Sequence, residues 1–381
     1  MIKKILCFFK KELMLTAALL AAVISLFITP PGKETLSGID WRTLGTLFMM
    51  LCVLEGFKRE NVLGPVARFG SGLKRMTSLT LFLVFGVFFT SMFVTNDVSL
   101  IIFVPLTISI FRGARREKYI LPVITLENIA AIRGSMLTPF GSPQNLFLYG
   151  QIDVSVWRFS LHMLPLSALS AVLLVGFIFF LYRKNTKEEI GGGTDRNEDA
   201  QRGNRTKKIS YIILFAVVVG VIVTRTQYWY FVLAAVVAAT AVIDWRVLIK
   251  VDYVLLLTFL CFFVFSSSIT SNAAISSALG GVVAGKEYWW SIGLSQLISN
   301  VPSTIVLYPF SKNFAGLIYG ADSAGLVSLI GSLASVINYR IYVREYPGQG
   351  WKFIKTFTLI SLAFFALVVV PGYLLSAWSF V

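Results

Sequence analysis

Four short polar runs carry most of the chemistry this sequence offers, and each one interrupts an apolar stretch. Thr95-Asn96-Asp97 places a hydroxyl, an amide and a carboxylate in consecutive positions. That set suits a sodium ion or a proton carrier, and the same residue types are also favoured as helix N-caps. Thr138 to Asn145 contains two prolines and a glycine, which forbid continuous helix. Within it, Gln144 and Asn145 offer donors to an anion's oxygens, and carbonyls around Gly141 offer ligands to a cation. Ser299-Asn300-Val301-Pro302-Ser303 mirrors the first run without its carboxylate. The glycine- and serine-rich middle of Phe314–Tyr342 carries Gly331-Ser332 and also Asp322, whose depth the sequence does not fix.

Two further charges lie in the stretch that holds the second run. Glu127 and Arg133 are six residues apart, about 120° around a helix axis, and so do not pair directly. Arg133 either holds an anionic substrate or pairs structurally with Asp97 or with neighbours of Glu127. Glu55, near the end of its apolar run, reads as interfacial.

The surroundings of these residues are those of a membrane protein. Hydrophobic residues make up 56% of the 381 positions and charged residues 14%, against about 25% charged in soluble domains. The net charge of +15 raises nucleic acid as a partner. The basic residues, however, sit in short loops between apolar runs, which is a topology signal and not a binding face. Cys7, Cys52 and Cys261 have no metal or disulfide spacing, and His162 is the single histidine. With no Ser/His/Asp set, zinc pattern or phosphate loop, nothing points to an enzyme. The basic Met1 to Glu12 and the apolar run after it read as a retained first helix, not a signal peptide.

Apolar runs long enough to cross are Leu13–Thr29, Trp41–Phe57, Arg158–Tyr182, Ile209–Thr224, Tyr228–Ile243, Tyr253–Thr270 and Lys355–Trp378. Basic clusters precede the first run, separate the second from Leu79, follow Phe111 and fill Arg183–Lys208. All can be cytoplasmic only if 79–111 is a re-entrant hairpin with Thr95-Asn96-Asp97 at its tip. Alternation then makes 119–149 a broken helix, 288–310 a second hairpin entering from the opposite side, and 314–342 a second broken helix. The expected fold is an all-α integral membrane protein with about nine crossings. Residues 1–182 form the first inverted repeat and 183–208 a flexible cytoplasmic linker. Residues 209–381 form a connecting helix plus the second repeat. The halves match at Asp40 and Asp252, at Thr95-Asn96 and Ser299-Asn300, and at Gly141-Ser142 and Gly331-Ser332.

A helix broken at membrane depth leaves amides and carbonyls that lipid cannot satisfy, at several kcal/mol per group. Such breaks persist where they face protein, water or a ligand. Half-helix N-termini suit anions, and unwound carbonyls and C-termini suit cations. Two tips and two breaks therefore supply the parts of a combined ion and substrate site.

The chain resembles the ion transporter superfamily, which includes divalent anion:sodium symporters, citrate-transporter-like permeases, arsenite permeases and some sodium/proton antiporters. The resemblance rests on Thr95-Asn96-Asp97-Val98 with Pro105, on Gly134 through Thr138-Pro139 into Gly141 through Leu146, on Ser295 through Pro302, and on Gly331-Ser332-Leu333-Ala334-Ser335. It implies a homodimer in which a transport domain moves against a scaffold by an elevator-like motion. It implies one cation site from Thr95, Asn96, Asp97 and carbonyls near Gly141, and a second from Ser299, Asn300 and carbonyls near Gly331. Sodium would lie at Asn96, Asp97 and Asn300. Substrate would lie near Asn96, Gln144, Asn145 and Asn300; Ser142, Pro143, Val301, Pro302 and Ser332 in the same runs are candidates beside them, and Arg133 is a candidate from its charge, in a helix that the family usually keeps uncharged there. The dicarboxylate symporters carry Ser-Asn-Thr at both tips. The acidic first tip here is more similar to the arsenite-permease and citrate-like branches, and Ser142 stands where many relatives have Asn.

The expected function is secondary transport of a small carboxylate or related anion, coupled to sodium or protons. An arsenite or oxyanion exporter, a sodium/proton antiporter of the same superfamily and a passive channel are the alternatives. The expected location is the inner membrane of a prokaryote, with the N-terminus cytoplasmic and the C-terminus outside.

Overall fold

The computed structural model describes residues 12–30, 32, 37–65, 73, 75–183 and 203–378. The basic N-terminal segment, Lys33, Arg68, Lys74 and linker residues 184–202 lie outside the described residues. Among the described residues there are sixteen α-helices and no strand. In chain order they are α1 (Leu13–Ile28), α2 (Trp41–Arg59), α3 (Met76–Val94), α4 (Asn96–Gly113), α5 (Ile120–Ser135), α6 (Pro143–Gln151), α7 (Val156–Tyr182) and α8 (Arg205–Thr224). After them come α9 (Trp229–Lys250), α10 (Tyr253–Thr270), α11 (Ala273–Val283), α12 (Glu287–Ile298), α13 (Asn300–Leu307), α14 (Phe314–Ala324), α15 (Leu333–Glu345) and α16 (Gly350–Ser376). Seven of them, α3, α4, α7, α8, α9, α10 and α16, are long and apolar enough to cross a membrane.

The boundaries follow local chemistry. Asp40 accepts from the Thr43 amide at 2.9 Å and Asp252 from the Leu255 amide at 2.9 Å, so the two matched aspartates are N-caps of α2 and α10. Pro143 opens α6 at the position where a missing N–H costs nothing. The kink in α9 falls at Asp244, whose φ of −163° and ψ of 95° are not helical. There its carboxylate accepts from the Arg246 amide at 3.1 Å and restarts the helix. The helix therefore runs on to Lys250, beyond the apolar run that ends at Ile243. The short helix α11 was not expected from the apolar runs, because Ala273–Val283 is too short to register as a span.

The stretches 79–111 and 288–310 are both helix pairs joined through one residue. The arms of the first are 19 and 18 residues long, about 28 Å each at 1.5 Å per residue. The arms of the second are 12 and 8 residues, the latter followed by a single 3-10 turn at Tyr308–Phe310. The stretches 119–149 and 314–342 are each two helices separated by a turn segment, as expected.

Glycine lets the backbones touch at matching places in these pairs. A Cβ on Gly134 of α5 would lie 2.0 Å from the Phe88 carbonyl oxygen and 2.6 Å from Ser91 Oγ on α3. A Cβ on Gly320 of α14 would lie 2.5 Å from the Tyr288 carbonyl oxygen and 2.7 Å from Ser291 Cβ on α12. Elsewhere α1 is fastened to α10 by Ser268 Oγ, which donates to the Ser25 carbonyl at 2.8 Å. The Tyr211 ring of α8 packs over Gly56 of α2.

At the end of α2 several charges form a clasp. Arg59 of α2 pairs with Asp244 of α9 at 3.1 Å, and Lys207 of α8 reaches the same carboxylate at 3.8 Å. The Asn204 amide donates to Glu60 Oε2 at 2.7 Å. Arg59, Glu60, Lys207 and Asp244 border a cavity of about 840 Å³.

Candidate functional site

Eight helix ends converge on the four polar runs. α3, α5, α12 and α14 finish there, and α4, α6, α13 and α15 begin there. Each run thus combines the free carbonyls of one half-helix with the free amides of the next.

The two hairpin tips share one backbone conformation. Thr95 has φ 68° and ψ 154°, and Ser299 has φ 71° and ψ 160°. This region is almost reserved for glycine and costs a β-carbon residue about 1–3 kcal/mol. After the bend, the Ser99 amide donates to the Thr95 carbonyl at 3.3 Å and the Ser303 amide to the Ser299 carbonyl at 3.1 Å, so both second arms start at the bend residue. The cost is accepted because one residue reverses the chain and leaves hydroxyl and amide side chains at the turn.

Beyond the bend the tips differ. At the first, Asn96 is buried and its Oδ1 accepts from the Asp97 amide at 2.9 Å. Asp97 is half-buried, and its Oδ1 is shielded from solvent with no hydrogen-bond partner among the described residues. The first hairpin reaches its break through Thr138 Oγ1, which donates to the Met92 carbonyl. At the second, the Asn300 amide donates to the Gly331 carbonyl at 3.2 Å, and Asn300 Nδ2 donates to the Ala321 carbonyl at 3.4 Å. Val301 and Pro302 are buried in the first turn of α13.

The two breaks are built alike. A Cβ on Gly141 would meet the Ser135 carbonyl oxygen at 2.2 Å, and one on Gly331 the Ala324 carbonyl oxygen at 2.3 Å. In both cases the chain after the first half-helix folds back onto that helix's last turn. Ser142 and Ser332 are buried and sit at the N-cap positions of α6 and α15, where neither side chain makes a cap hydrogen bond.

The breaks meet through side chains that sequence alone left scattered. Gln144 Nε2 donates to Asp322 Oδ1 at 2.9 Å. With its amide nitrogen turned to Asp322, Asn145 donates to Oδ2 at 3.2 Å and to Oδ1 at 3.3 Å. Arg133, fully buried, donates from Nη2 to Ser323 Oγ at 3.3 Å, one residue from Asp322. Its backbone carbonyl accepts from Ser167 Oγ at 3.1 Å. Arg133 makes no ion pair with Asp322 within 4 Å, and no hydrogen bond links it to Asp97. The pairing with Asp97 held open by the sequence is not made.

Other polar contacts extend this seam between α5, α4 and α15. Asn128 Nδ2 donates to Ser335 Oγ at 3.0 Å, and Asn338 Nδ2 to the Ile124 carbonyl at 2.7 Å. Thr107 Oγ1 donates to Glu127 Oε1, while Glu127 Oε2 has no partner. Sequence reading missed Ser323, Asn128, Asn338 and Thr107, and took Ser335 only as part of the family resemblance. The one available signal was their polarity inside apolar or small-residue stretches.

A cavity of about 380 Å³ lies beside this region, between α10, α6 and the end of α13. Asp40, Gln151, Ser266, Ser267, Thr270 and Tyr308 are among its lining residues.

A family model described as citrate transporter matches residues 5–331, across both hairpins and up to Gly331 in the second break. The chain belongs to the citrate transporter family. It is therefore a multi-pass membrane protein of a transporter family, not an enzyme. It is similar to the inner membrane protein YbiR of Escherichia coli, 31% identical over 328 residues that cover 84% of each chain. It is also similar to an uncharacterized transporter of Methanocaldococcus jannaschii, 29% identical over 309 residues, 80% of this chain and 81% of that one. The citrate-transporter model and both relatives cover most of the chain, so the family assignment does not rest on a local motif.

Proposed function

We propose that this citrate transporter family member is a secondary carrier of a small carboxylate or related anion, coupled to sodium or protons. The observation that carries the reading is the junction of the two breaks. There the side-chain amides of Gln144 and Asn145, in the first turn of α6, hold the carboxylate of Asp322, and the Arg133 guanidinium bonds its neighbour Ser323. Donors that satisfy one carboxylate in this way are those a carboxylate substrate needs.

The coupling cation binds at the tips. Thr95, Asn96, Asp97 and carbonyls near Gly141 form the first site, and Ser299, Asn300 and carbonyls near Gly331 the second. The partnerless Oδ1 of Asp97 supports the first assignment, because an uncompensated carboxylate at membrane depth calls for a cation or proton. Ser142, Pro143, Val301, Pro302 and Ser332 shape the substrate space.

The helix pairs α3–α4 and α12–α13 act as opposed re-entrant hairpins in an inverted repeat of 1–182 and 209–381. The twin bends, the twin glycine contacts and the charge pattern of the loops support this arrangement. Transport then proceeds by an elevator motion in a homodimer in the inner membrane, N-terminus inside and C-terminus outside.

The test is thermal unfolding of purified protein in detergent, with sodium titrated against choline at constant ionic strength and at two pH values. Sodium at 100 times its dissociation constant stabilises by about 2.7 kcal/mol. A sodium-specific shift that Asp97→Asn weakens supports sodium coupling at the first tip. A pH-dependent melting point that Asp97→Asn removes moves the coupling to protons. A melting point indifferent to both sinks the coupled-carrier reading.

A further inference from the structure

Asp322 lies in neither hairpin tip, and yet it sits where the anion donors point. It is 1% exposed and accepts from Gln144 and Asn145, in the first turn of the nine-residue helix α6. Arg133 binds the neighbouring Ser323 and faces Asp322 electrostatically. The other titratable groups around it are Tyr319 on its own helix and Tyr288 of α12, which faces Arg133 and packs against Tyr373 of α16 at 5.7 Å. From α6 the facing groups are the two amides, and from α13 the amide of Asn300, which bonds the carbonyl of Ala321. The contacts to α6 span 178 residues of sequence and tie the second break to the first.

We propose that Asp322 is a built-in competitor of the transported anion: it holds the amides of Gln144 and Asn145, and the anion enters by displacing it. This rests on the anion-carrier reading above. Two consequences follow from charge and geometry. First, displacement undoes the tie between α6 and α14, so anion entry loosens one broken helix from the other. Second, when Asp322 is ionised its charge and that of Arg133 sum to zero. An entering anion therefore leaves at least one negative charge beyond what Arg133 balances, in surroundings where uncompensated charge is costly. The anion must arrive with a cation or proton, and Asp322 sets that requirement. Coupling then arises from a residue outside the tips, in addition to any cation the tips bind.

The experiment measures binding of citrate, succinate and inorganic phosphate by thermal shift. It compares wild type with Asp322→Asn at two sodium concentrations and two pH values, at fixed ionic strength. Asparagine keeps the shape and one acceptor but removes the charge. The expected result is at least tenfold tighter binding of one of these anions by Asp322→Asn, about 1.4 kcal/mol, with a weaker dependence on sodium or pH than in wild type. Wild type that binds while Asp322→Asn binds equally or more weakly overturns the proposal and leaves the anion-carrier reading standing. Absence of binding by both proteins removes the anion reading and this proposal together. If Asp322→Asn does not fold, wild type alone decides. Its anion affinity should rise about in proportion to sodium or proton concentration, and an affinity indifferent to both overturns the proposal.

Discussion

The two hairpin tips have the same backbone and different attachments. Thr95 and Ser299 agree within 6° in both dihedral angles, and each is followed by a buried asparagine. The second tip is stitched into its own break by the Asn300 amide on Gly331 and the Asn300 side chain on Ala321. At the first tip the Asn96 side chain accepts from the Asp97 amide, and Asp97 Oδ1 has no partner among the described residues. The fold thus duplicates the frame and divides the tasks. The second tip's asparagine is bonded to its own break, while the first tip holds a carboxylate oxygen with no partner among the described residues.

The strongest way to break this contrast is to give the second tip the first tip's charge. Val301→Asp places a carboxylate at a position that is 3% exposed. It should cost about 3–5 kcal/mol, the penalty of an uncompensated buried charge, read as a lost or sharply lowered melting transition. Recovery of that loss by sodium would instead make the tips interchangeable. Next come the glycine contacts. Gly134→Ala should destabilise by about 1–3 kcal/mol, and Gly320→Ala by less. The added Cβ would lie 2.0 Å from a backbone oxygen at the first position and 2.5 Å from one at the second. Asn300→Ala should cost about 1–2 kcal/mol by orphaning the Ala321 carbonyl, against about 0.5 kcal/mol for Asn96→Ala. Equal losses at the two asparagines would remove the distinction between anchor and ligand. The smallest effect is a gain: Thr95→Gly and Ser299→Gly each relieve the bend and should stabilise by up to about 1 kcal/mol. The glycine at 95 should also blunt the melting response to sodium or pH, and the glycine at 299 should blunt it less.

Sequence alone located the bends and breaks, because each needs residue types that no continuous apolar helix tolerates. Thr95-Asn96-Asp97 stands alone between two apolar arms, and Pro139, Gly141 and Pro143 exclude helix whatever surrounds them. The match of Asp40 and Asp252 at the starts of two helices was legible, and the structure adds that both are N-caps. The junction at Asp322 was not legible. Its partners lie 178 and 177 residues away, and nothing local to Phe314–Ala324 says which face of that helix meets α6. Arg133 was visible as an unusual charge. Its partner, Ser323, was hidden, because a serine among small residues carries no charge signal. The arms of the first hairpin extend to Met76 and Gly113, beyond the expected 79–111, and Met76 is buried in the core there, a packing contact that hydropathy does not show.

The clasp at Asp244 reaches beyond transport, to how such a chain is made. Arg59 and Glu60 close α2, and Lys207 and Asn204 open α8, so the charged contacts at Asp244 and Glu60 join the two sides of residues 184–202 without the polypeptide between them. The peptide bonds there are then redundant for assembly. A chain nicked within that segment, or expressed from two open reading frames divided there, should copurify as one particle. Charge reversal at Asp244 should loosen α8 and α9 from the end of α2, while contacts such as Ser268 to Ser25 and Asn128 to Ser335 keep the pieces together.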